Sequence, residues 1–176
     1  MKLYVLRHGE TEGNITGIMQ GNMETELNET GILQAKEVSA FFQDKKIDLA
    51  IVSPRNRTKL TAELAVPNVP KIYDQRLRSR DHGEFEGLRK DEIDSYEYWN
   101  YKINKKYQKA ESIEDLFQRV GSLLKEIKET YPDKTILLVT HSGICRVIYY
   151  NFHKIPEDGN LLEYQSKNCS VDEYDY

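Results

Sequence analysis

The sequence predicts an α/β protein with three layers, in which a largely parallel β-sheet lies between two layers of helices. Short apolar segments alternate with segments of helical periodicity, which is the pattern of parallel strands joined by crossover helices. The chain has 176 residues, 39% of them hydrophobic and 31% charged, so it can build one sizeable core. We therefore expect a single domain over residues 1–176.

Five apolar segments predict the strands of this sheet, near residues 2–6, 47–52, 70–73, 135–140 and 168–174. Helices are predicted between them, from about Glu29 to Asp44, from about Thr58 to Ala65 and from the glycine at 143. The clearest helical stripe follows Ser112, whose hydroxyl we expect to cap the helix. Its apolar members, expected to face the core, are Ile113, Leu116, Phe117, Val120, Leu123, Leu124 and Ile127.

The first strand ends in Arg7, His8 and Gly9. Open α/β sheets place their ligand sites at the carboxyl ends of strands, and a glycine there lets the backbone turn sharply beside a bound group. A guanidinium can neutralise phosphoryl oxygens, and a neutral imidazole can attack phosphorus. The pattern therefore favours phosphoryl chemistry, with His8 as the nucleophile.

The strand at 135–140 ends in a similar way, in His141, Ser142 and Gly143. If the two strands lie parallel in one sheet, both imidazoles reach the same edge. There His141 can donate a hydrogen bond to a phosphoryl oxygen and stabilise the transition state.

The strand at 47–52 leads to two more cations, Arg55 and Arg57. Arg57 lies at a predicted helix start, where free backbone N–H groups also favour anions. We expect at least one of these arginines to bind phosphate.

Taken in chain order, these motifs resemble the histidine phosphatase superfamily, in its phosphoglycerate-mutase-like branch, which includes α-ribazole and broad-specificity phosphatases. The resemblance covers nearly the whole chain and is carried by residues 7–11, 14, 20–21, 27–28, 31–35, 53–54, 57, 61–62, 83–88, 111–112, 119–120, 140–143 and 168–171. It implies a hydrolase that needs no cofactor and no metal, and an antiparallel edge strand that the last segment could supply.

The resemblance also implies a role for each matching position. His8 would become phosphorylated, and Arg7, Arg57 and His141 would form the phosphate pocket. The residues implied to contact the phosphoryl group, to line the approach or to supply nearby backbone are Asn14, Gln20, Gly21, Ser142 and Gly143.

One position departs from the family, which usually carries a glutamate as proton donor four residues before Gly83, where this chain has Ser79. Three alternatives stay open. Asp81 could substitute, since residues two apart on an extended segment face the same way; Glu84 could reach in from the following turn; or the leaving group could depart without strong protonation. We hypothesise that Asp81 is the better candidate.

In the resembled family, the region at about residues 90–110 forms a short helical cap over the active site. Here its aromatic side chains and lysines are Tyr96, Tyr98, Trp99, Tyr101, Lys102, Lys105, Lys106, Tyr107 and Lys109. They could stack on or steer a ring-bearing phosphate ester, or form an amphipathic helix on the domain. A short cap leaves water able to reach a phosphohistidine, which favours a phosphatase over a mutase.

Composition limits the partners and the compartment. The formal net charge of −4 argues against nucleic acid, while local cations at 55, 57, 78, 80, 89 and 90 suit an anionic substrate. Two cysteines, Cys145 and Cys169, indicate reduced thiols in a cytoplasmic protein. Neither a signal segment nor a membrane-spanning segment is predicted. A metal site is not expected, because the His spacing fits no common zinc pattern.

The sequence thus predicts a phosphomonoesterase that hydrolyses a small phosphorylated metabolite through a phosphohistidine on His8. Two alternatives remain: a phosphoglycerate-type mutase, and a catalytically weak phosphate-binding regulatory module, for which Ser79 is the argument. The natural substrate and the oligomeric state stay open, and a homodimer is possible.

Overall fold

A computed structural model describes all residues 1–176 and contains one five-stranded sheet. Its strands are β1 (Lys2–Arg7), β2 (Leu49–Val52), β3 (Lys71–Tyr73), β4 (Thr135–Thr140) and β5 (Val171–Asp175). They lie in the order β3-β2-β4-β1-β5, with β5 antiparallel to β1 and the other neighbours parallel. The predicted parallel sheet with an antiparallel C-terminal edge strand is confirmed.

Seven α-helices connect and cover the strands: α1 (Glu12–Ile15), α2 (Glu29–Glu37), α3 (Ser39–Phe42), α4 (Asn56–Ala65), α5 (Ser95–Tyr98), α6 (Ile113–Thr130) and α7 (Ser142–Phe152). The single helix predicted from Glu29 to Asp44 is interrupted at Val38. There the backbone carbonyl of Val38 accepts a bond from Phe41, three residues on, so the turn tightens. The predicted cap of α6 is confirmed, since the Ser112 hydroxyl accepts from the Asp115 backbone N–H at 3.1 Å.

The strands bury alternate side chains on opposite faces of the sheet, as their pleat requires. On one face, residues such as Leu3, Val5 and Ile136 pack with α6 and α7. On the other face, residues such as Tyr4 and Leu6 pack with α3 and α4. The outcome is the predicted three-layer arrangement. None of the helices is both long enough and apolar enough to cross a membrane.

The region predicted as a helical cap is helical over only a few residues. A 3₁₀ turn at Lys90–Glu92 and the four residues of α5 are its regular elements up to residue 110. The rest is held by tertiary hydrogen bonds: the backbone N–H of Tyr101 donates to Gly159 at 2.8 Å, and the buried side chain of Asn100 donates to the carbonyl of Asp158 at 3.0 Å. Because those bonds replace helical ones, the short cap segment is helical at these two turns and irregular over its remaining residues.

Candidate active site

A cleft of about 290 Å³ opens at the carboxyl ends of β1 and β4. Four side chains that follow strands or begin a helix lie at its base, and we call them the cleft floor: Arg7, His8, Arg57 and His141. Further side chains rise from later segments, and we call them the cleft wall: Ser79, Arg80, His82, Lys90, Trp99 and Arg146. The volume suits a phosphoryl group attached to a small molecule.

His8 is buried at the end of β1 and its ring is fixed by its own neighbour. Its Nδ1 lies 2.7 Å from the carbonyl oxygen of Gly9. A carbonyl only accepts, so the proton of the neutral ring is on Nδ1 and Nε2 carries a lone pair. Burial, followed by the charges of Arg57 and Arg7, holds the pKa of His8 well below the ordinary value. The ring is therefore a neutral imidazole with a free nucleophilic nitrogen.

His141, which follows β4, faces His8 with 5.3 Å between the ring centroids. Its Nε2 lies 2.8 Å from the hydroxyl of Ser53, the residue after β2. Its Nδ1 is buried and has no partner in the protein. Burial, then the charges of Arg57 and His8, lower the pKa of His141 well below the ordinary value. With the Ser53 hydroxyl donating to Nε2, the ring presents an Nδ1–H that an anion could accept.

The two floor arginines are held by uncharged acceptors rather than by carboxylates. Nη1 of Arg7 donates to the carbonyl of Ser166 at 2.6 Å. Arg57 donates to the carbonyls of Met23 and Gly21, each at 2.8 Å. Burial lowers the pKa of Arg57 to about 10, which leaves it charged at neutral pH. The buried Nε atoms of both guanidiniums have no protein partner, so each retains donors for an anion.

The predicted residues Asn14, Gln20 and Gly21 also line the cleft. The amide oxygen of Asn14 accepts from Thr11 and Asn168, which leaves its amide nitrogen available to a ligand. The amide oxygen of Gln20 likewise accepts from hydroxyls, one of them the Thr11 Oγ1 at 3.0 Å. Gly21 has a φ of +48° and belongs to the loop that Arg57 binds.

Ser142 lines the cleft as the first residue of α7, together with Gly143. The free backbone N–H groups at the start of this 11-residue helix therefore lie at the cleft, where they favour an anion. A side chain at Gly143 would place its Cβ 2.7 Å from the Trp99 ring, so glycine is needed for Trp99 to approach.

The cleft wall is cationic. Arg80 is fully buried and donates to the carbonyls of Tyr98 and Glu111 at 2.7 and 2.8 Å. The Trp99 ring lies between two guanidiniums, 5.0 Å from that of Arg80 and 4.5 Å from that of Arg146. With Lys90 and the two floor arginines, five cations line the cleft, and none of them forms an ion pair.

The two carboxylates expected near the site lie outside it. Oδ1 of Asp81 accepts the backbone N–H of Gly83 at 2.9 Å, across a turn where Gly83 has a φ of +52°. Glu84 is exposed and accepts the backbone N–H groups of Gln108 and Lys109, each at 3.0 Å. The turn therefore uses both groups as its own hydrogen-bond acceptors. The structure does not bring Asp81 or Glu84 to the cleft, whereas Ser79 does line it.

The expected cluster of cations divides in two. Arg57, Arg80 and Lys90 line the cleft, whereas Arg55 pairs with Glu24 and Arg89 pairs with Asp91 outside it. The later lysines of the cap segment, Lys102, Lys105, Lys106 and Lys109, also lie outside, and of its aromatic residues Trp99 lines the cleft directly.

Sequence reasoning did not assign a role to Arg146 or to the segment from Leu162 to Ser166. A signal for Arg146 existed, since it lies four residues after Ser142 and hence on the same helix face. The cleft residues Leu162, Gln165 and Ser166 carried no signal, because they come from a loop without a motif. No group of three or more His, Cys, Asp or Glu side chains is placed to bind a metal, and both cysteines are free.

The chain was compared with known proteins. The family model described as "Histidine phosphatase superfamily (branch 1)" matches residues 3–176. Among curated proteins, phosphoserine phosphatase 1 of Hydrogenobacter thermophilus is 31% identical over 157 residues, covering 85% of this chain and 74% of that protein. The uncharacterised phosphatase PhoE of Bacillus subtilis is 32% identical over 146 residues, covering 82% and 73%. The solved structure of Bacillus stearothermophilus YhfR superposes with a TM-score of 0.87 at 27% identity, covering 98% of this chain and 89% of that one.

Proposed function

The chain belongs to the histidine phosphatase superfamily and is a phosphatase, and from that premise we propose that it hydrolyses small phosphorylated metabolites through a phosphohistidine on His8. The observation that carries the proposal is the tautomer of His8. Its Nδ1–H is bound to Gly9 at 2.7 Å, and its Nε2 is left as a nucleophile among unpaired cations.

In the first step, Nε2 of His8 forms a bond to phosphorus while the bond from phosphorus to the leaving oxygen breaks in line, and that oxygen departs with the electron pair. Arg7, Arg57 and Nδ1 of His141 hold the three equatorial oxygens as their charge redistributes. Each of these side chains has a buried nitrogen without a protein partner, which supports this assignment. The amide nitrogens of Asn14 and Gln20 and the backbone at Gly21 and Ser142 bind around the same group.

In the second step, water attacks the phosphohistidine, the N–P bond breaks and its electron pair returns to Nε2. Inorganic phosphate leaves, and the remaining proton goes to solvent. The phosphoryl transition state is loose, so it makes a small demand on a base for the water. The short and mostly irregular cap supports hydrolysis over a mutase reaction, in which a reorienting intermediate must be kept from water.

The substrate proposed is a small phosphorylated metabolite, because the cleft measures about 290 Å³. The cationic lining favours a molecule that carries negative charge beyond the transferred group. Three of the curated relatives are named for phosphoserine, and one is named a broad-specificity phosphatase. We therefore place phosphorylated amino acids and hydroxy acids among the first metabolites to screen.

The test is a rapid-quench experiment with ³²P-labelled p-nitrophenyl phosphate, stopped in alkaline denaturant because phosphohistidine is labile in acid. Label should appear on the peptide that contains His8, and His8→Ala should abolish both labelling and phosphate release. His153→Ala is the matched control, since His153 is exposed and distant from the cleft lining.

Label on another residue, or wild-type turnover by His8→Ala, would contradict the proposal. Phosphate binding without turnover of any phosphorylated compound would instead indicate the binding module. Transfer to a second hydroxyl with no release of inorganic phosphate would indicate a mutase.

A further inference from the structure

The charged residues that line the cleft are all cations. The lining contains five of them, Arg7, Arg57, Arg80, Lys90 and Arg146, and no aspartate or glutamate. Carboxylates close to the lining bind backbone N–H groups instead. Asp81 accepts from Gly83, and Glu84 accepts from two residues of the cap segment. Glu86, which lies beside Gly21, accepts from the Asn22 N–H at 2.8 Å.

Glu111, which lies behind the wall, is paired with Arg119 through both of its carboxylate oxygens, each at 2.7 Å. It is also nearly buried, with a 9% exposed side chain. The cleft therefore holds no carboxylic acid that could protonate a departing oxygen.

This absence matters because of where electrons go when the phosphorus–oxygen bond breaks. The bonding pair stays on the leaving oxygen, and an alcohol leaves as a strongly basic alkoxide unless an acid gives it a proton. Positioned general acids typically contribute about 10²–10⁴-fold to such steps. A carboxylate or a phosphate leaving group is weakly basic and departs as a stable anion without a proton.

The remaining proton-bearing groups of the wall are weak acids. His82 is neutral, since burial and then the charge of Arg80 lower its pKa to about 3, and its Nδ1 lies 2.6 Å from the Tyr98 hydroxyl. The Ser79 hydroxyl is an ordinary alcohol. The Lys90 ammonium carries a proton, and it is also the group best suited to stabilise an anion, together with the Arg146 guanidinium.

We propose that this cleft preferentially hydrolyses phosphoryl groups carried on a weakly basic oxygen, namely acyl phosphates and phosphoanhydrides, with Lys90 and Arg146 stabilising the departing anion. The inference rests on the phosphohistidine chemistry proposed above for His8, and it adds the class of leaving group.

For an acyl phosphate, the step balances without any acid. Nε2 of His8 forms a bond to phosphorus, the bond from phosphorus to the acyl oxygen breaks, and a carboxylate leaves with the electron pair. Water then cleaves the phosphohistidine, giving inorganic phosphate, one proton to solvent and the regenerated imidazole.

The first experiment is a leaving-group series measured on the full chain: acetyl phosphate, inorganic pyrophosphate, p-nitrophenyl phosphate and glycerol 3-phosphate. We expect kcat/KM to fall as the basicity of the leaving oxygen rises, with the alkyl ester at least about 10²–10⁴-fold below acetyl phosphate. Comparison of kcat/KM for acetyl phosphate and for pyrophosphate shows whether the enzyme prefers acyl phosphates or phosphoanhydrides.

The second experiment inserts the missing acid at Ser79, which is 8% exposed and lines the cleft. Ser79→Glu should raise the ratio of alkyl to acyl kcat/KM by about 10²–10⁴-fold relative to Ser79→Gln, which has the same size and no proton to give. Because the readout is a ratio within one variant, changes in folding or in phosphate binding cancel.

Comparable kcat/KM for glycerol 3-phosphate and acetyl phosphate would overturn the inference. If Lys90→Met then lowered turnover of the alkyl ester alone, Lys90 would be the proton donor. Comparable kcat/KM values together with label on His8 would overturn the leaving-group preference and leave the proposed function intact. Absence of label and turnover with every compound, p-nitrophenyl phosphate included, would instead overturn the proposed function.

Discussion

The floor and the wall of the cleft are built in different ways. The floor residues His8 and His141 each directly follow a central strand of the parallel sheet, so two neighbouring strands set their positions. The wall residues come from the irregular segment before the cap, from the cap segment itself and from α7. The floor has a complete set of groups for phosphoryl transfer, whereas the wall has cations and no acid.

This difference indicates how the chemistry is divided. In the proposed mechanism, binding and attack on phosphorus depend on groups held at strand ends and at the start of α4, and they should tolerate little change. Under the inferred preference, discrimination between leaving groups depends on the wall, where Ser79 offers a hydroxyl and no carboxylic acid. Changes in the floor should therefore affect all substrates alike, whereas changes in the wall should affect them unequally.

The largest effect is expected from Arg7→Met in the floor. Removal of one donor to a developing charge typically costs about 10²–10³-fold in kcat. We expect this loss for aryl and acyl substrates alike, as measured by steady-state phosphate release. Arg55→Met is the matched control, because Arg55 pairs with Glu24 outside the cleft. A loss confined to one leaving group would remove the distinction between floor and wall.

The next largest effect is a loss of stability when the ion pair behind the wall is broken. Arg119 pairs with Glu111 and donates to the carbonyls of Arg76 and Arg78, which lead to Ser79. Arg119→Met leaves the nearly buried Glu111 carboxylate unpaired, and breaking such a pair costs about 3–5 kcal/mol of unfolding free energy. Urea unfolding followed by circular dichroism measures it.

Lys125→Met is the comparison for Arg119→Met, because the pair of Lys125 with Glu129 is well exposed. We expect that substitution to change the unfolding free energy by less than about 1 kcal/mol. Equal effects of the two substitutions would show that the Arg119 pair does not support the wall.

A smaller effect concerns pH and the buried imidazole of the wall. The pKa of His82 is about 3 in the fold, against an ordinary value of 6.5. Between these values the unfolded chain binds one more proton there, so stability rises with pH, by up to about 1.4 kcal/mol per unit. His82→Gln should remove this contribution from the slope of unfolding free energy between pH 4 and 6.

The comparison uses the slope of unfolding free energy against pH rather than the unfolding free energy itself, because His82→Gln also removes the hydrogen bond to Tyr98. His153→Gln is the control for a histidine at an exposed position. An identical slope in wild type and His82→Gln would mean that His82 is not kept neutral by the fold.

The smallest effect is spectroscopic. Trp99 is the only tryptophan of the chain, and it lies in the wall between two guanidiniums. An anion that draws Arg146 towards the floor should change the fluorescence of Trp99. Titration with inorganic phosphate, followed by tryptophan fluorescence, measures this change. Arg146→Met should remove the response while binding to the floor persists, as followed by calorimetry. A response that survives in Arg146→Met would contradict the coupling.

The same division explains what the sequence could predict. Strand ends marked by Arg7, His8 and His141 follow from local patterns, because parallel strands meet at one edge and need no other information. The hydrogen bonds of the turn at Gly83 could not be predicted from local patterns. From the sequence, Asp81 was a candidate proton donor, but in the turn its carboxylate accepts a hydrogen bond from the backbone N–H of Gly83. The irregular part of the cap segment could not be predicted either, since Asn100 and Tyr101 form tertiary bonds that no local pattern reveals.

The pairing of β1 has a consequence for synthesis. The strand that ends at His8 lies between β4 (Thr135–Thr140) and β5 (Val171–Asp175), which are both made long after it. While a nascent chain emerges from the ribosome, β1 has neither neighbour, and forming these distant pairings is slow. His8 therefore lacks both supporting strands until translation has passed β5, so the cleft floor cannot reach its final arrangement earlier.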